Sequence, residues 1–409
     1  MTIVRVKNVE VIGSNQVTGP DTVLFTASPG NILSEEMEVG SEQPDVIIDG
    51  QGCTLLPAFI DANIDIGAAE SALQEFASFG IGTVVDMSST SAENQTMRSL
   101  SENEMGLPAY LACGTVVAAD DSEAIRRFPF RETNEIRNPE DAEDFVTARL
   151  DGPYRADFIK VVADTPGLND SVLGAIASAA HRHGLLAIAH ATQMEAYRRA
   201  SRLGYDVFVH VPLDAELDPD FAREMADRGA ACIPSLTVLQ QMSTRDRART
   251  DRDRTDADGT DADGTDADGT DANGTDANGA DGEAGLPEHT RVDFERAMRA
   301  VGTLHDAGVR ICAGTESNHS HDAPINIGES LHRELELLNR AGLSNLETLR
   351  AATCITASVF KLEDRGMLQA GRRADLILVE GNPLEDISAT RRIKKVWIRG
   401  LEVEDPFPT

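Results

Sequence analysis

The chain has 409 residues, enough for one large α/β domain with a smaller attachment. Its 69 acidic residues against 37 basic residues give a net charge of −32, and so acidic a surface argues against binding to nucleic acid or anionic membranes. No run approaches the ~18 apolar residues that a membrane-spanning helix needs.

Charge and cysteine content also bear on the compartment. Acidic surfaces suit very high salt, which screens their repulsion, so we expect a cytoplasmic protein of a halophilic organism. An enzyme in ordinary salt that repels acidic ligands is the alternative. The five cysteines form no Cys-x-x-Cys pair, which favours buried thiols in a reducing compartment. The start of the chain lacks the hydrophobic core of a signal peptide, so we do not expect export.

Residues 1–54 read as short strands separated by turns, in VRVKNVEVIG, TVLFTA and DVIIDG. Apolar strands then alternate with amphipathic helices such as DSVLGAIASAAHRHG, which a glycine closes. Eight strands are predicted, at 55–60, 82–87, 108–113, 157–163, 185–190, 206–211, 230–235 and 309–315. Eight such units predict an α/β fold, a (β/α)8 TIM barrel. No phosphate-binding glycine fingerprint follows the first strand.

The C-terminal region returns to strands. Ser344 and Glu347 form a capping box that opens a helix through TLRAATCITASVF. RADLILVEG and RIKKVWIRGLEVE then read as strands, so both ends of the chain are β-rich. We therefore predict a small β-sandwich domain built from both termini (1–56 and 361–409), flanking a barrel at 57–360.

Five pentapeptide repeats at 255–279, of the type TDADG, interrupt the barrel pattern. A calcium-binding EF-hand loop needs oxygen ligands at positions 1, 3, 5 and 12 with glycine at 6, which a strict period of five does not supply. The segment has no apolar residue larger than alanine. We interpret 250–285 as an acidic, low-complexity, disordered insert within the barrel.

Polar side chains stand on otherwise apolar predicted strands, mostly at the ends where barrel enzymes carry their reactive groups. They are Asn63 and Asp65 on strand one, Lys160 on strand four, His190 on strand five, His210 on strand six and Glu316 on strand eight. Singly, a histidine there is more often a satisfied core residue, and a lysine more often reaches water. Together, two imidazoles and several carboxylates around a lysine predict a divalent metal site, with zinc the default ion.

The remaining histidines are less informative. His319 and His321 follow strand eight and are candidates for the substrate site or for a metal ligand, although a solvated loop is an equally good interpretation. His181, His183 and His332 lie on predicted helices, so we expect them at the surface.

Several of these stretches resemble the amidohydrolase superfamily, in particular its imidazolonepropionase-like and Xaa-Pro dipeptidase-like branch. GCTLLPAFIDAN resembles the family's entry to the barrel, GIGTVVDM its second strand, DFIKVVAD the strand with a carboxylated lysine, and AIAHA and VFVH the metal histidines. The most specific match is the closing segment, LHRELELLNRAGLSNLETLRAATCITASVF and DRGMLQAGRRADLILVEGNPLEDI. The resemblance covers nearly the whole chain except the insert, and it implies a barrel with a β-sandwich from both termini.

For the site, the resemblance implies that N-carboxylated Lys160 bridges two metal ions and that His190 and His210 hold the second. The first ion normally needs a His-x-His pair and an aspartate, and here Asn63, Asp65 and Glu316 stand in those places. One site is thus intact, while the other is richer in oxygen. The altered site favours manganese or magnesium over zinc, or has lost its ion. Glu316 remains able to bind metal or to act as a base.

Three functional hypotheses follow. The first is a metal-dependent hydrolase of a C–N bond in a small amide or cyclic amide, with Glu316 or Asp65 accepting the proton of metal-activated water. The second is a catalytically decayed relative that binds a small ligand without turnover. The third is a metal-free enzyme in which Lys160 forms a Schiff base.

The resemblance suggests a homo-oligomer. Arg126, Arg127 and Arg131 would suit a substrate carboxylate, but their surface-like segment favours solvation.

Overall fold

The computed structural model describes residues 2–13, 17–28, 30–33, 44–119, 122, 133–134, 136–152, 154–246, 292–319 and 324–404. The predicted acidic insert at 250–285, His321 and the three arginines Arg126, Arg127 and Arg131 lie outside these ranges. Within the described residues, no helix has both the length and the apolar character needed to cross a membrane.

Strands and helices alternate along most of the chain. The strands are β1 (Ile3–Ile12), β2 (Val17–Thr26), β3 (Val46–Asp49), β4 (Cys53–Pro57), β5 (Phe59–Asp65), β6 (Ile81–Asp86), β7 (Ala109–Ala112), β8 (Val116–Val117), β9 (Thr133–Asn134), β10 (Phe158–Val162), β11 (Leu186–His190), β12 (Val207–Val209), β13 (Ala231–Ile233), β14 (Arg310–Ile311), β15 (Ser317–Asn318), β16 (Leu376–Glu380), β17 (Ile393–Ile398) and β18 (Leu401–Glu402). The helices are α1 (Glu70–Ser78), α2 (Ser91–Asn103), α3 (Asp141–Thr147), α4 (Asp170–Arg182), α5 (Met194–Arg202), α6 (Pro219–Asp227), α7 (Phe294–Asp306), α8 (Glu329–Arg340), α9 (Asn345–Ala351), α10 (Cys354–Val359) and the 3-10 helix Ile387–Arg391. Residues 236–246 are also helical.

The central strands form the predicted eight-stranded parallel barrel. Its hydrogen-bonded runs are β15-β5-β6-β7 and β14-β13-β12-β11-β10-β8-β9. The backbone N–H of Ala62 donates to Ala313 at 2.9 Å, which joins the eighth strand to the first. The N–H of Asp157 donates to Ala112 at 2.8 Å, which joins the third to the fourth. Barrel strands one to eight are therefore β5, β6, β7–β8, β10, β11, β12, β13 and β14–β15.

Strand one begins later than predicted. Residues 55–57 belong to β4, which pairs antiparallel with β16, and the barrel strand starts at Phe59. Ala58 is the single residue between the two, and its N–H donates to Asp375. The prediction of one strand at 55–60 was wrong because the apolar run LLPAFI has no polar residue to mark where one sheet ends and the next begins.

Strands from both ends of the chain share one seven-stranded sheet, as the sequence predicts. The order is β18-β17-β16-β4-β1-β2, with β3 pairing to β1. Phe25 on β2 and Trp397 on β17 contact each other edge to face, with ring centroids 5.4 Å apart. Since four pairings separate these strands, the sheet curls until its two ends enclose a common core.

Two local predictions near α8 differ from the structure. The capping box of Ser344 and Glu347 is present, but the helix predicted to follow it ends at Ala351, and a second helix begins after Thr353. His332 was expected at the surface and is instead 1% exposed. It lies on the side of α8 that packs against the rest of the protein. Its ring nitrogens contact Phe79 O and Thr390 Oγ1, each at 3.1 Å.

Candidate active site

A β-bulge turns the end of barrel strand one inward. The pairing with β6 shifts register between Asp61 and Ile64, where β5 has one residue more than its neighbour. Ala62 belongs to the apolar cluster inside the barrel, whereas Ile64 belongs to the layer between barrel and helices. The extra residue reverses which residues of the strand point into the barrel, so Asn63 and Asp65 face the interior. Both are buried.

The two predicted histidines lie side by side at the ends of strands five and six. Both side chains are buried, and the ring centroids of His190 and His210 are 4.8 Å apart, edge to face. The hydroxyl of Tyr197 donates to the backbone carbonyl of His210. Tyr197 therefore anchors the backbone that carries one of the rings.

Glu316 approaches this pair from strand eight. Its Oε2 lies 3.2 Å from His210 Nε2, and Asn318 Nδ2 donates to its backbone carbonyl at 2.8 Å. Burial raises the pKa of Glu316 to about 7, against the opposing influence of Lys160 and of a hydrogen bond from Asn63. A carboxyl group with such a pKa exchanges protons readily near neutral pH.

Lys160 lies in the middle of β10, on the strand next to His190. Its side chain is buried, and burial lowers the pKa of the amine, while Cys113, Glu316 and Asp86 act in the opposite direction. Burial thus favours the neutral amine, which is the nucleophilic form.

Asn63 is committed to hydrogen bonds within the protein. Its Nδ2 donates to Ser235 Oγ at 2.8 Å, and its backbone carbonyl accepts from the N–H of Glu316 at 2.6 Å. Gly314 packs against it so closely that an added Cβ would meet Asn63 Cβ at 2.9 Å and Ile233 Cγ2 at 2.5 Å. Only glycine fits there without displacing Asn63.

Three residues of the mouth have left-handed backbone conformations. His210, Ser235 and Glu316, at the ends of strands six, seven and eight, have φ of 69°, 50° and 62°. Non-glycine residues are held in this region only where surrounding structure imposes it, and they cluster at functional sites. Side chains from three neighbouring strand ends are thereby turned into one space.

The structure adds two polar residues that the sequence analysis did not select. Asp164 follows strand four, and its Oδ2 lies 3.6 Å from His190 Nε2 while accepting from Thr192 Oγ1 at 2.6 Å. Ser235 follows strand seven. The strand-end rule would have found both, since each lies two residues beyond a barrel strand.

Within the described ranges, no three His, Cys, Asp or Glu side chains are arranged to bind one ion. His190 and His210 offer two nitrogen donors, and the carboxylate oxygens beside them are Asp164 Oδ2, 3.6 Å from His190, and Glu316 Oε2, 3.2 Å from His210. On the opposite side, the amide of Asn63 is already engaged, and Asp65 lies at the strand end beside Asn318.

His319 follows β15 and is exposed, which agrees with the solvated-loop interpretation. His181 and His183 lie at the end of α4, where they contact Asp206 and Glu143. None of these three has a described contact with the barrel mouth.

Comparisons with known proteins support the fold. The model of the amidohydrolase family matches residues 51–403. A proposed prolidase from Bifidobacterium longum has a TM-score of 0.76 at 21% identity, covering 100% of this chain and 96% of that one. A Xaa-Pro dipeptidase with bound methionine in its active site has a TM-score of 0.76 at 19% identity, covering 98% and 99%. A molinate hydrolase has a TM-score of 0.74 at 15% identity, covering 100% and 97%. No curated protein sequence matches significantly.

Proposed function

Because the chain belongs to the amidohydrolase family, we propose that it is a metal-dependent hydrolase that cleaves a C–N bond in a small amide or cyclic amide. One observation carries the proposal: the buried imidazoles of His190 and His210 lie 4.8 Å apart, with the Glu316 carboxylate 3.2 Å from His210. Catalytic barrels place their reactive groups at these strand ends.

His190, His210 and N-carboxylated Lys160 would hold the ion, and zinc is the expected choice for imidazole with oxygen. Burial lowers the pKa of the Lys160 amine, and the neutral form of an amine is the one that reacts with carbon dioxide to give a carbamate. A bound ion there would polarise the scissile carbonyl and lower the pKa of water to about 7.

Glu316 would accept the proton from the attacking water and deliver it to the leaving nitrogen. The Asn63 carbonyl holds the backbone of Glu316, and His210 Nε2 lies 3.2 Å from its carboxylate. Asp65 is the second candidate acceptor from its place at the end of β5. If Asp65 and Glu316 instead bind a second ion, their oxygen donors favour manganese or magnesium.

A second candidate function is ligand binding without turnover. The hydrogen bond of Asn63 to Ser235 favours it, because a satisfied amide stands where the resemblance implies a metal-binding histidine. Fold alone does not decide between the two functions.

Metal analysis and a substrate screen separate the two functions. Protein purified in high salt should hold about one ion per chain and hydrolyse members of a panel of dipeptides, including Xaa-Pro dipeptides, and N-acyl amides. His190→Ala and His210→Ala should lose both metal and activity, while the control His181→Ala, on the outer helix α4, keeps both. Wild-type protein with neither stoichiometric metal nor turnover supports ligand binding, and full activity in either strand-end variant rejects the hydrolase.

A further inference from the structure

Glu334 is a buried carboxylate that lies behind the site. It is on α8 and is 0% exposed. Its Oε1 accepts from the N–H of Leu236 at 2.9 Å, and its Oε2 accepts from the N–H and the hydroxyl of Thr237, both at 2.7 Å. These residues open the helix at 236–246. A carboxylate there satisfies N–H groups that have no partner within the helix.

Ser235 immediately precedes that capped turn. Its φ of 50° puts it in the left-handed region, which serine adopts only under constraint. Two constraints flank it. Before it, the Ile233 carbonyl accepts from His210 N–H at 2.8 Å. After it, Glu334 fixes the next two residues. Ser235 has no freedom to relax while both contacts persist.

The direction of the Ser235 hydroxyl decides where Asn63 points. Ser235 Oγ accepts from Asn63 Nδ2 at 2.8 Å, and the backbone carbonyl of Asn63 accepts from the N–H of Glu316 at 2.6 Å. A continuous series of contacts therefore leads from α8, outside the barrel, to Glu316 inside it.

We propose that Glu334 is a positioning residue of the active site, which orients Glu316 through Ser235 and Asn63. The inference rests on the proposed function, in which Glu316 accepts the proton. The competing explanation is that Glu334 only fastens α8 to strand seven and adds stability.

Crystal structures of variants test the contact series without substrate or metal. Glu334→Gln keeps the shape but converts one acceptor atom into a donor, so one of the two capped N–H groups loses its partner. We expect Ser235 to leave the left-handed region and Asn63 Nδ2 to move out of hydrogen-bond range of Ser235 Oγ. Glu336→Gln, the same change on the same helix where the carboxylate contacts Arg333 and Arg391, should change neither. An unaltered Ser235 and Asn63 in Glu334→Gln overturns the proposal, whatever becomes of the proposed reaction.

Kinetics on any substrate found in the amide panel supply a second readout. Glu334→Gln should lower kcat roughly 10–100-fold with little change in KM, as misplacement of a reacting group does. In a Ser235→Ala background the same change should cost less than about twofold, because the route to Glu316 is already cut. Ser235→Thr, which keeps the hydroxyl, should retain most of kcat. Additive losses in the double variant would mean that Glu334 affects kcat by a route other than Ser235, and an unchanged kcat in Glu334→Gln would mean that Glu334 adds stability alone; either result overturns the proposal. If Glu334→Gln does not fold, Glu334→Asp replaces it in both measurements.

Discussion

The two sides of the barrel mouth differ in how their polar groups are satisfied. On the side of strands four to six, Lys160, His190 and His210 are a buried amine and two buried imidazoles, and the rings meet edge to face. On the side of strands one, seven and eight, Asn63 hydrogen-bonds Ser235 through its side chain and Glu316 through its backbone carbonyl. Equal burial thus serves two ends: under the proposed function the first side offers donors to an ion, and the second side holds a carboxylate beside neutral groups.

The first and largest test removes a donor from the proposed metal-binding side. Lys160→Met removes the proposed third donor while keeping an apolar stem of similar length. We expect loss of bound metal and a fall in turnover of at least about 10³-fold, since two imidazoles alone hold zinc weakly. Elemental analysis and the amide panel measure both. Lys361→Met, an exposed lysine whose Nζ donates to Gly184 O, is the control, and metal retained in Lys160→Met would remove lysine from the ligand set.

The second test acts on the hydrogen-bonded side. Glu316→Gln should lower kcat by about 10²–10⁴-fold, the range for removal of a general base, and should leave the metal content unchanged. Loss of the metal along with activity would instead make Glu316 a ligand. Glu385→Gln, an exposed carboxylate far along the chain, should behave as wild type in both assays.

The third test overpacks the hydrogen-bonded side, where strand eight packs against strands one and seven. Gly314→Ala places a Cβ 2.5 Å from Ile233 and 2.8 Å from Asn63 N, so it should lower the free energy of unfolding by ~1–3 kcal/mol, as overpacking does. Urea denaturation measures this. Gly174→Ala on α4 meets only the flexible end of Leu203 at 3.3 Å and should be neutral or stabilising. Equal stability of the two variants would show that strand eight has room to move.

The fourth and smallest test concerns Glu334 on α8, which lies behind the hydrogen-bonded side. Burial raises the pKa of Glu334 from 4.5 to about 7, so the folded state keeps this proton to a higher pH than the unfolded chain does. Its contribution to the free energy of unfolding therefore falls as pH rises from about 4.5 to about 7, and stays low above that. In Glu334→Gln, the free energy of unfolding should therefore fall less steeply with pH, by up to ~1.4 kcal/mol per pH unit.

Urea titrations between pH 4.5 and 7.5 give this slope. Glu336 provides the opposite case, because its two arginines hold the pKa below the usual range despite burial. Its contribution is present above the unfolded pKa and is lost as pH falls below about 4.5, so Glu336→Gln should leave the decline between pH 4.5 and 7.5 almost unchanged. Identical slopes in both variants would contradict a raised pKa of Glu334 in the folded state.

The sequence predicts the barrel and the union of both termini because periodicity reports which faces are buried. The rule that barrel enzymes carry reactive groups at their strand ends led to His190, His210 and Glu316, and the structure brings these three together. It could not reveal the β-bulge before Asn63, since one extra residue leaves no mark in composition. Nor could it reveal Ser235, whose backbone angle is set by contacts from other strands and from α8. Glu334 was not selected either, because a glutamate on an amphipathic helix is normally solvent-exposed.

The junction at Ala58 has a consequence for the order of synthesis. The terminal sheet joins β4 to β16, and Thr54 donates to Gly381 across 327 residues of chain, so the sheet cannot close until nearly the whole polypeptide has left the ribosome. Strand one of the barrel continues directly from β4 with no linker, and it therefore follows a strand that keeps one edge unpaired throughout translation. Such long-range closure is slow, and nascent chains stalled before residue 376 should expose the open edge of β4 to chaperones and proteases.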